Sequence, residues 1–288
     1  MNPVDAGGLP IGSDHPPRIM GVLNVSEESP YDPSVFEDPV AAARYVEAEL
    51  VADGADIVDV GLASATKRFE PLSAEEELAR LPVALDTIDR VDGDVVFSIE
   101  TRYGAVAEAA LEGGFDMVND VCGFADPAMP DVCSAHDAAV VVMASPPDLS
   151  RPGAVSDVDW AARRSPEWAE TATVVDQLLA RLEAIPFTDK TIVDPAFGGW
   201  SEAKTLADDR ETFARLSEFR RFDRPILVSI NRKNFLGDLV EKPTDERLPA
   251  SLAATALAVE RGANVIRTHD VGPTRDAAIV GWELGRRE

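Results

Sequence analysis

The sequence predicts a single α/β domain, a (β/α)8 or TIM barrel, in which eight parallel strands alternate with eight helices. From residue 19 onward, short runs rich in Val, Ile and Leu alternate with longer amphipathic stretches, a pattern typical of parallel strands joined by crossover helices. Three helical stretches end at a glycine that opens a similar tripeptide: Gly54-Ala-Asp, Gly114-Phe-Asp and Gly262-Ala-Asn. This recurrence indicates one repeated unit rather than two unrelated domains. Residues 1–18 are predicted to be an N-terminal extension to a barrel of residues 19–288.

The elements can be placed in chain order from the hydrophobic period and from helix-end signals. The predicted strands are residues 19–25, 55–61, 94–101, 115–121, 138–145, 190–197, 224–231 and 263–270. The predicted helices are residues 40–54, 73–91, 104–114, 129–137, 171–185, 205–222, 251–262 and 274–286. The second helix has the clearest start, because Ser73 stands three residues before Glu76 at the capping-box spacing. Residues 146–168 and 237–248 are predicted to be long loops that follow strands.

The charge balance restricts the partners that the chain can bind. Lys and Arg number 27 against 52 Asp and Glu, a net charge of -25 at pH 7, so nucleic acid and anionic membranes are not expected as partners. A surface this acidic favours a salt-adapted, halophilic origin, because high ionic strength screens self-repulsion. Cys122 and Cys133 lack the spacing of a metal site and are expected to be reduced packing residues. No segment reaches the roughly 18 apolar residues of a membrane span, and a cytoplasmic location is predicted.

Polar side chains gather at the carboxyl ends of the predicted strands, where a barrel of this kind builds its active site. They are Asn24, Asp59, Glu100, Asn119, Asp120, Asp194, Asn231, Arg232, Lys233, Arg267, His269 and Asp270. Any one of them has an alternative role as a helix cap or turn former. Strands that are otherwise apolar have no packing reason to end this way repeatedly, so the set predicts a site.

The chemistry of these strand ends divides into two groups. One group can bind a polar heterocycle through paired donors and acceptors: Glu100, Asn119, Asp194 and Lys233. The other group can bind a phosphorylated leaving group: Asn24, Arg267 and His269. The scarce cations Lys67, Arg68, Lys204, Arg232 and Lys233 also fall near strand ends. Because an anion can bind so acidic a molecule only where positive charge is concentrated, an anionic substrate is expected.

Two features at these strand ends can be explained either by a role in the site or by an ordinary structural role. The pair Arg232-Lys233 has the alternative of an ordinary solvated loop pair. Trp200, which follows the sixth predicted strand, either stacks on a flat substrate or packs.

Motifs at the same strand ends resemble those of the dihydropteroate synthases, in order along the chain. The run Ile19-Met-Gly-Val-Leu-Asn-Val-Ser is similar to the family's opening signature. Asp59-Val-Gly, followed by Glu70-Pro-Leu-Ser-Ala-Glu-Glu-Glu, is similar to its second loop. The remaining matches are Ser98-Ile-Glu-Thr, Val118-Asn-Asp-Val, Val193-Asp-Pro, Asn231-Arg-Lys-Asn-Phe-Leu-Gly and Ile266-Arg-Thr-His-Asp-Val. As an ordered set they are specific to the pterin-binding barrel superfamily.

The resemblance implies a reaction and a role for each matching residue. The reaction is condensation of 6-hydroxymethyl-7,8-dihydropterin diphosphate with para-aminobenzoate, giving dihydropteroate and pyrophosphate with help from Mg²⁺. By similarity, the pterin contacts are Glu100, Asn119, Asp194 and Lys233; the diphosphate contacts are Asn24, Arg267 and His269, with Asn24 also at the metal; and Asn231 and Ser64 border the aminobenzoate. Lys233, Arg267 and His269 are the catalytic residues that this implies. Family members are often dimers, which makes the last helix the expected interface.

Departures from the family pattern keep two further functions open. The second loop reads Gly61-Leu-Ala-Ser-Ala-Thr-Lys-Arg, where the family typically has Gly-Gly-Glu-Ser-Thr-Arg-Pro-Gly, and Glu100 replaces the commoner Asp. The altered loop motivates the same chemistry with a modified aminobenzene acceptor. A pterin-binding protein without synthase activity, for example a methyltransferase-type paralogue, is the other alternative. Arg267 and His269 argue against it, because a methylated folate needs no diphosphate pocket.

Overall fold

Parallel strands close into the predicted barrel in the computed structural model, which describes residues 3–25, 35–62, 72–144, 173–198 and 205–285. The strands in these ranges are β1 (Val4–Ala6), β2 (Leu9–Ile11), β3 (Arg18–Asn24), β4 (Ile57–Gly61), β5 (Val96–Glu100), β6 (Met117–Asp120), β7 (Ala139–Met143), β8 (Thr191–Asp194), β9 (Leu227–Val228) and β10 (Val265–Thr268). Strands β3 to β8 pair in chain order, and β10 pairs with both β3 and β9. At the last seam, Val193 bridges Ile226. The single (β/α)8 fold is confirmed.

Helices follow the barrel strands, as the amphipathic stretches predict. They are α1 (Pro39–Tyr45), which continues as the π-helical turn Val46–Val51, α2 (Ala74–Ile88), α3 (Gly104–Glu112), α4 (Met129–Ala135), α5 (Val174–Glu183), α6 (Leu206–Ala214), which leads to the 3₁₀ turn Leu216–Phe222, α7 (Asn234–Val240), α8 (Leu248–Glu260) and α9 (Val271–Gly285). The predicted capping box at Ser73 is present, with the Ser73 N–H donating to the Glu76 carboxylate at 2.7 Å. No helix of the described ranges combines the length and the apolar character needed to cross a bilayer.

Two predicted segments differ in the structure. The seventh barrel strand is limited to Leu227–Val228, because Pro225 has no N–H for a strand ladder and the Ile226 N–H donates instead to the Asn264 side chain at 3.0 Å. The predicted loop 237–248 holds the end of α7 and the 3₁₀ turn Thr244–Glu246. Arg247 compacts it by donating to the Lys242 carbonyl at 2.9 Å. The other predicted loop, residues 146–168, lies outside the described residues.

The N-terminal end of the barrel is closed by a short hairpin. Strands β1 and β2 pair antiparallel around Gly7 and Gly8, which have φ angles of 58° and 88°, and a two-residue turn of this kind favours glycine at both positions. The hairpin buries Val4, Ala6 and Ile11 in one apolar cluster with the first interior residues of the strands: Met20, Ile57, Val96, Met117, Ala139, Val141, Ile192, Leu227 and Val265. This cluster seals the end of the barrel opposite the predicted site.

The inner face of the barrel strands changes from apolar to polar within two residues. Side chains two positions apart share one face of a strand, so Ile57, Val96, Met117, Ile192 and Val265 are followed on the inner face by Asp59, Ser98, Asn119, Asp194 and Arg267. The outer face packs against the helices in a second, larger apolar cluster. Along these five strands, the inner face is therefore apolar at the N-terminal end and polar toward the carboxyl end.

Candidate active site at the carboxyl ends of the strands

Strand register aligns several predicted site residues. Asn24 on β3 pairs with Gly61 on β4, Gly61 pairs with Glu100 on β5, and Glu100 pairs with Asn119 on β6. The predicted diphosphate residue Asn24 and the two predicted pterin residues therefore lie in one row across four strands.

Arg267 lies on β10, the strand that pairs with β3 at the end of this row. Its Nε donates to Asp59 Oδ2 at 2.7 Å and its Nη2 donates to Glu100 Oε2 at 2.6 Å. Asp59, which is fully buried, also accepts hydrogen bonds from Ser98 Oγ at 2.7 Å and from Asn119 Nδ2 at 2.9 Å. The result is one hydrogen-bonded cluster of predicted pterin and diphosphate residues.

Burial and charge act against each other in this cluster. Burial raises the pKa of Glu100, an effect that the charges of Arg267 and Lys233 oppose and that of Asp59 reinforces. Burial by itself lowers the pKa of Arg267, but the charges of Asp59 and Glu100 outweigh it and raise that pKa. Arg267 is therefore a permanent cation between two carboxyl groups.

Lys233 and Asp194 complete the predicted pterin group. Lys233 precedes α7 and its side chain lies over Gly198, where an added Cβ would meet Nζ at 2.8 Å. The φ of Gly198 is 105°, and Asp209 holds its N–H at 3.1 Å. Asp194 ends β8, is 7% exposed and has a charge that contributes to the raised pKa of Arg267. The structure thus brings Glu100, Asn119, Asp194, Lys233 and Arg267 to one end of the barrel.

His269 lies in the same region but is not a cation at neutral pH. Burial, and then the charge of Arg267, lower the pKa of His269 to about 4. A neutral imidazole can still donate one N–H to an anion. The role of His269 at the diphosphate stays a prediction, with the imidazole acting as a hydrogen-bond donor rather than as a positive charge.

The side chains of Asn231 and Arg232 both donate hydrogen bonds to the carboxylate of Asp270. Arg232 donates to both Asp270 oxygens, at 2.7 and 2.8 Å, and Asn231 Nδ2 donates to Oδ2 at 2.9 Å. Asn231 Oδ1, the side-chain oxygen, accepts the backbone N–H of His269 at 3.4 Å. Arg232 therefore fixes the loop after β9 to the residue that follows β10 by two positions, which differs from both sequence interpretations, an anion-binding cation and a solvated loop residue.

Glu77 of α2 connects to the residue that follows Glu100. It is 2% exposed and accepts a hydrogen bond from Thr101 Oγ1 at 2.6 Å. Burial raises the pKa of Glu77 to about 7, although the Thr101 hydrogen bond and the charge of Arg102 oppose this. Arg102 is itself 5% exposed, and its Nη1 has no hydrogen-bond partner among the residues that the structure describes.

Several sequence predictions remain outside the described residues. They are those for Ser64, Lys67, Arg68, Trp200 and Lys204. Cys122 and Cys133 are free and buried, as expected.

The sequence analysis placed Asp59 among the polar strand ends but assigned it no role, and it left Glu77 out of the site. Asp59 had a usable signal, because it is a lone carboxylate within the apolar strand Ile57–Gly61. Glu77 shares the buried face of α2 with Leu81 and Ala84, a helical spacing at which a carboxylate needs a partner.

The described residues of the site are recognition groups for a ring and an anion. The described parts of the chain contain no group of three or more His, Cys, Asp or Glu residues that could hold a metal ion. Carboxylates and an amide beside two cationic side chains can bind a nitrogen-rich ring and an anion together. This arrangement supports orientation and charge stabilisation rather than nucleophilic catalysis.

Comparisons with known proteins agree with this geometry. Residues 20–269 match the family model described as pterin binding enzyme. The chain is 30% identical over 277 residues to dihydropteroate synthase of Escherichia coli, covering 96% of this chain and 94% of that one. The solved dihydropteroate synthase of Coxiella burnetii, in complex with pteroic acid, superposes with a TM-score of 0.76 at 28% identity, covering 94% of each chain.

A haloarchaeal relative is longer. The chain is 36% identical over 269 residues to a probable bifunctional folylpolyglutamate synthase/dihydropteroate synthase of Haloferax volcanii. That alignment covers 91% of this chain but spans only 30% of the length of the relative. Because the family model covers most of the barrel and the Escherichia coli enzyme aligns along nearly its whole length, the chain belongs to the dihydropteroate synthase family of pterin-binding enzymes.

Proposed function

We propose that this protein condenses 6-hydroxymethyl-7,8-dihydropterin diphosphate with para-aminobenzoate to give 7,8-dihydropteroate and pyrophosphate, a step of folate biosynthesis. The observation that carries the proposal is the position of Arg267, hydrogen-bonded to Asp59 at 2.7 Å and to Glu100 at 2.6 Å. An anion-binding group and ring-binding carboxylates thereby share one surface. A substrate that joins a pterin to a diphosphate requires both.

The ring-binding part consists of acceptors and donors on neighbouring strands. Glu100 and Asp194 accept N–H groups of the amino-pyrimidine edge, and the Asn119 amide is oriented by its hydrogen bond to Asp59 at 2.9 Å. Lys233 donates to a ring acceptor from above Gly198. Because these groups are held by strands, they orient the ring without much reorganisation.

The leaving group is bound by groups on β3, on β10 and directly after β10. Arg267 supplies positive charge, neutral His269 supplies a hydrogen-bond donor, and Asn24 supplies an amide. In the reaction, the amine nitrogen of the acceptor forms a bond to the methylene carbon of the pterin, while the carbon–oxygen bond to the diphosphate breaks. The amine loses a proton and pyrophosphate leaves. Stabilising the departing oxyanion is the main contribution expected of the protein.

The donor set fits Mg²⁺ carried by the substrate. Mg²⁺ prefers oxygen ligands, keeps several waters and binds substrate phosphates with only one or two protein ligands. Asn24 provides one such oxygen, in accord with the lack of a carboxylate cage among the described residues. When bound, the ion would neutralise charge that develops on the diphosphate.

A substrate-pair assay tests the proposal. The full chain, with Mg²⁺ and both substrates, is expected to release pyrophosphate and form dihydropteroate, with no release when the aryl amine is omitted. The assay is run at low salt and at molar KCl, because the net charge of -25 predicts better folding where repulsion is screened. The absence of turnover with any aryl amine would falsify the proposed reaction.

The altered sequence of the second loop supports an alternative, the same chemistry with a modified aminobenzene acceptor. An assay in which para-aminobenzoate competes with substituted aminobenzenes distinguishes the proposed reaction from this alternative. A clear preference for plain para-aminobenzoate removes the alternative. Binding of a pterin without any response to pyrophosphate and Mg²⁺ would instead favour the non-catalytic paralogue.

A homodimer through the last two helices is the assembly that we propose. Three apolar side chains are exposed on these helices: Leu257 of α8 (49% exposed) and Val280 and Leu284 of α9 (51% and 81%). An exposed apolar patch is typical of an interaction site. Sedimentation of wild type and Leu284→Glu tests it, since a dimer at this face would dissociate in the variant. Salt adaptation, a cytoplasmic location and the lack of nucleic-acid or membrane partners stay predictions.

A further inference from the structure

We propose that Glu100 is a positioning residue for Arg267, so that the length of the side chain at position 100 sets the affinity for the diphosphate leaving group. This inference rests on the proposed function and adds a second role to a residue placed at the pterin.

The first step of the argument is that Asp59 is a fixed anchor. It is fully buried, and Ser98 and Asn119 donate to its two oxygens at 2.7 and 2.9 Å. Arg267 Nε adds a third hydrogen bond at 2.7 Å. With three donors, the carboxylate of Asp59 holds one corner of the guanidinium group.

The second step is that one anchored corner does not fix the guanidinium plane. A single hydrogen bond at Nε leaves the outer nitrogens able to swing about that contact. Glu100 removes this freedom by accepting from Nη2 at 2.6 Å. Two carboxylates on different strands, β4 and β5, therefore determine both the position and the tilt of the group.

The third step is that the anchored guanidinium keeps binding capacity. An arginine side chain has five N–H groups, and Asp59 and Glu100 use two of them. The other three make no hydrogen bond to the described residues and are available to an anion. Preorganised donors bind a developing oxyanion better than donors that must first be ordered.

Charge and position predict opposite effects at residue 100. As a nearby negative charge, Glu100 would only weaken anion binding, and shortening it would leave that affinity equal or improved. As an anchor, it strengthens anion binding through Arg267. Aspartate retains the charge but ends about 1.5 Å short, one carbon–carbon bond, which stretches the contact to Nη2 beyond hydrogen-bond range.

Calorimetric titration with pyrophosphate and Mg²⁺ tests the inference without turnover. The variants are Glu100→Asp, Arg267→Lys and the double variant. Glu47→Asp is the matched control, because it shortens a glutamate by the same one carbon where its carboxylate accepts the Asp92 N–H at 3.0 Å, in the loop before β5 and away from the site. Glu100→Asp is expected to weaken pyrophosphate binding about tenfold, the effect of one charge-assisted hydrogen bond. Glu47→Asp should leave pyrophosphate affinity unchanged. In the Arg267→Lys background the Glu100→Asp effect should vanish.

The outcomes separate the inference from the proposed function. Pyrophosphate affinity that is unchanged or improved in Glu100→Asp overturns the positioning role, even if pterin affinity falls. A Glu100→Asp effect that persists in full beside Arg267→Lys also overturns it. No pyrophosphate binding by the wild type, with no turnover, overturns the proposed function and the inference with it. Thermal unfolding of each variant verifies that the protein titrated is folded.

Discussion

The two ends of the barrel interior use opposite chemistry on the same strands. At the N-terminal end, Ile57 and its neighbours form an apolar cluster with the hairpin of β1 and β2. Two residues further along β4, Asp59 is fully buried with three hydrogen-bond donors around it. The difference shows that stability and chemistry are separated along the strand axis, so that a substitution can be directed at one with limited effect on the other.

The largest expected effect comes from removing the cation of the polar end. Arg267→Met should lower kcat by about 10² to 10³, the loss typical of one oxyanion-stabilising donor. The matched control is Arg18→Met, which removes an arginine from the opposite end of the neighbouring strand, where it donates to the Pro10 carbonyl at 2.9 Å. Steady-state kinetics with both substrates measures the two. An equal loss of kcat in Arg18→Met would contradict the separation of the two ends.

The second effect concerns the apolar end. Ile11→Ala removes a fully buried side chain of the hairpin and should lower the free energy of unfolding by about 2 to 5 kcal/mol, as for other buried Ile to Ala changes. Urea unfolding measures it, while kcat of the folded fraction should stay unchanged. Leu9→Ala, at a partly buried position, serves as the control with a smaller expected loss. A kcat that falls in step with stability would show that the ends are coupled.

The smallest expected effect is a pH dependence caused by Glu77. Its pKa is raised from 4.5 to about 7 in the folded protein, so between these values the folded state binds more protons than the unfolded state. The stability contribution is therefore complete below about pH 4.5 and is lost as the pH rises through 7. Relative to Glu77→Gln, the wild type should lose about 2 kcal/mol between pH 5 and pH 8.

Urea unfolding of both proteins at the two pH values measures this difference. Gln keeps an oxygen that can accept from Thr101, so the variant isolates the charge. A difference in unfolding free energy that does not change with pH would mean that Glu77 titrates normally in the folded protein.

The sequence predicted the barrel strands because each is an apolar run bounded by turn residues. It did not predict the hairpin, since Val4–Ala6 and Leu9–Ile11 are three-residue strands inside a stretch with many turn formers. The Gly7-Gly8 pair between them was the available signal. Short strands carry too little periodicity to be separated from a loop.

The site was predictable to the level of which residues meet, but not of how they are paired. Strand ends indicated Glu100, Asn119, Asp194 and Arg267, because parallel strands end on one side of a barrel. The pairing of Arg232 with Asp270 and the neutral state of His269 depend on loop geometry and burial. Neither quantity is encoded in residue spacing.

The hairpin also bears on the order in which the chain assembles. Val4 and Ile11 share their apolar cluster with Leu227 and Val265, from the last two barrel strands. Because β9 and β10 are synthesised after the hairpin, Val4 and Ile11 reach these neighbours only once most of the barrel has been made. Contacts between residues that are distant in sequence slow folding. We therefore expect the β1–β2 hairpin to dock in one of the last steps of barrel folding.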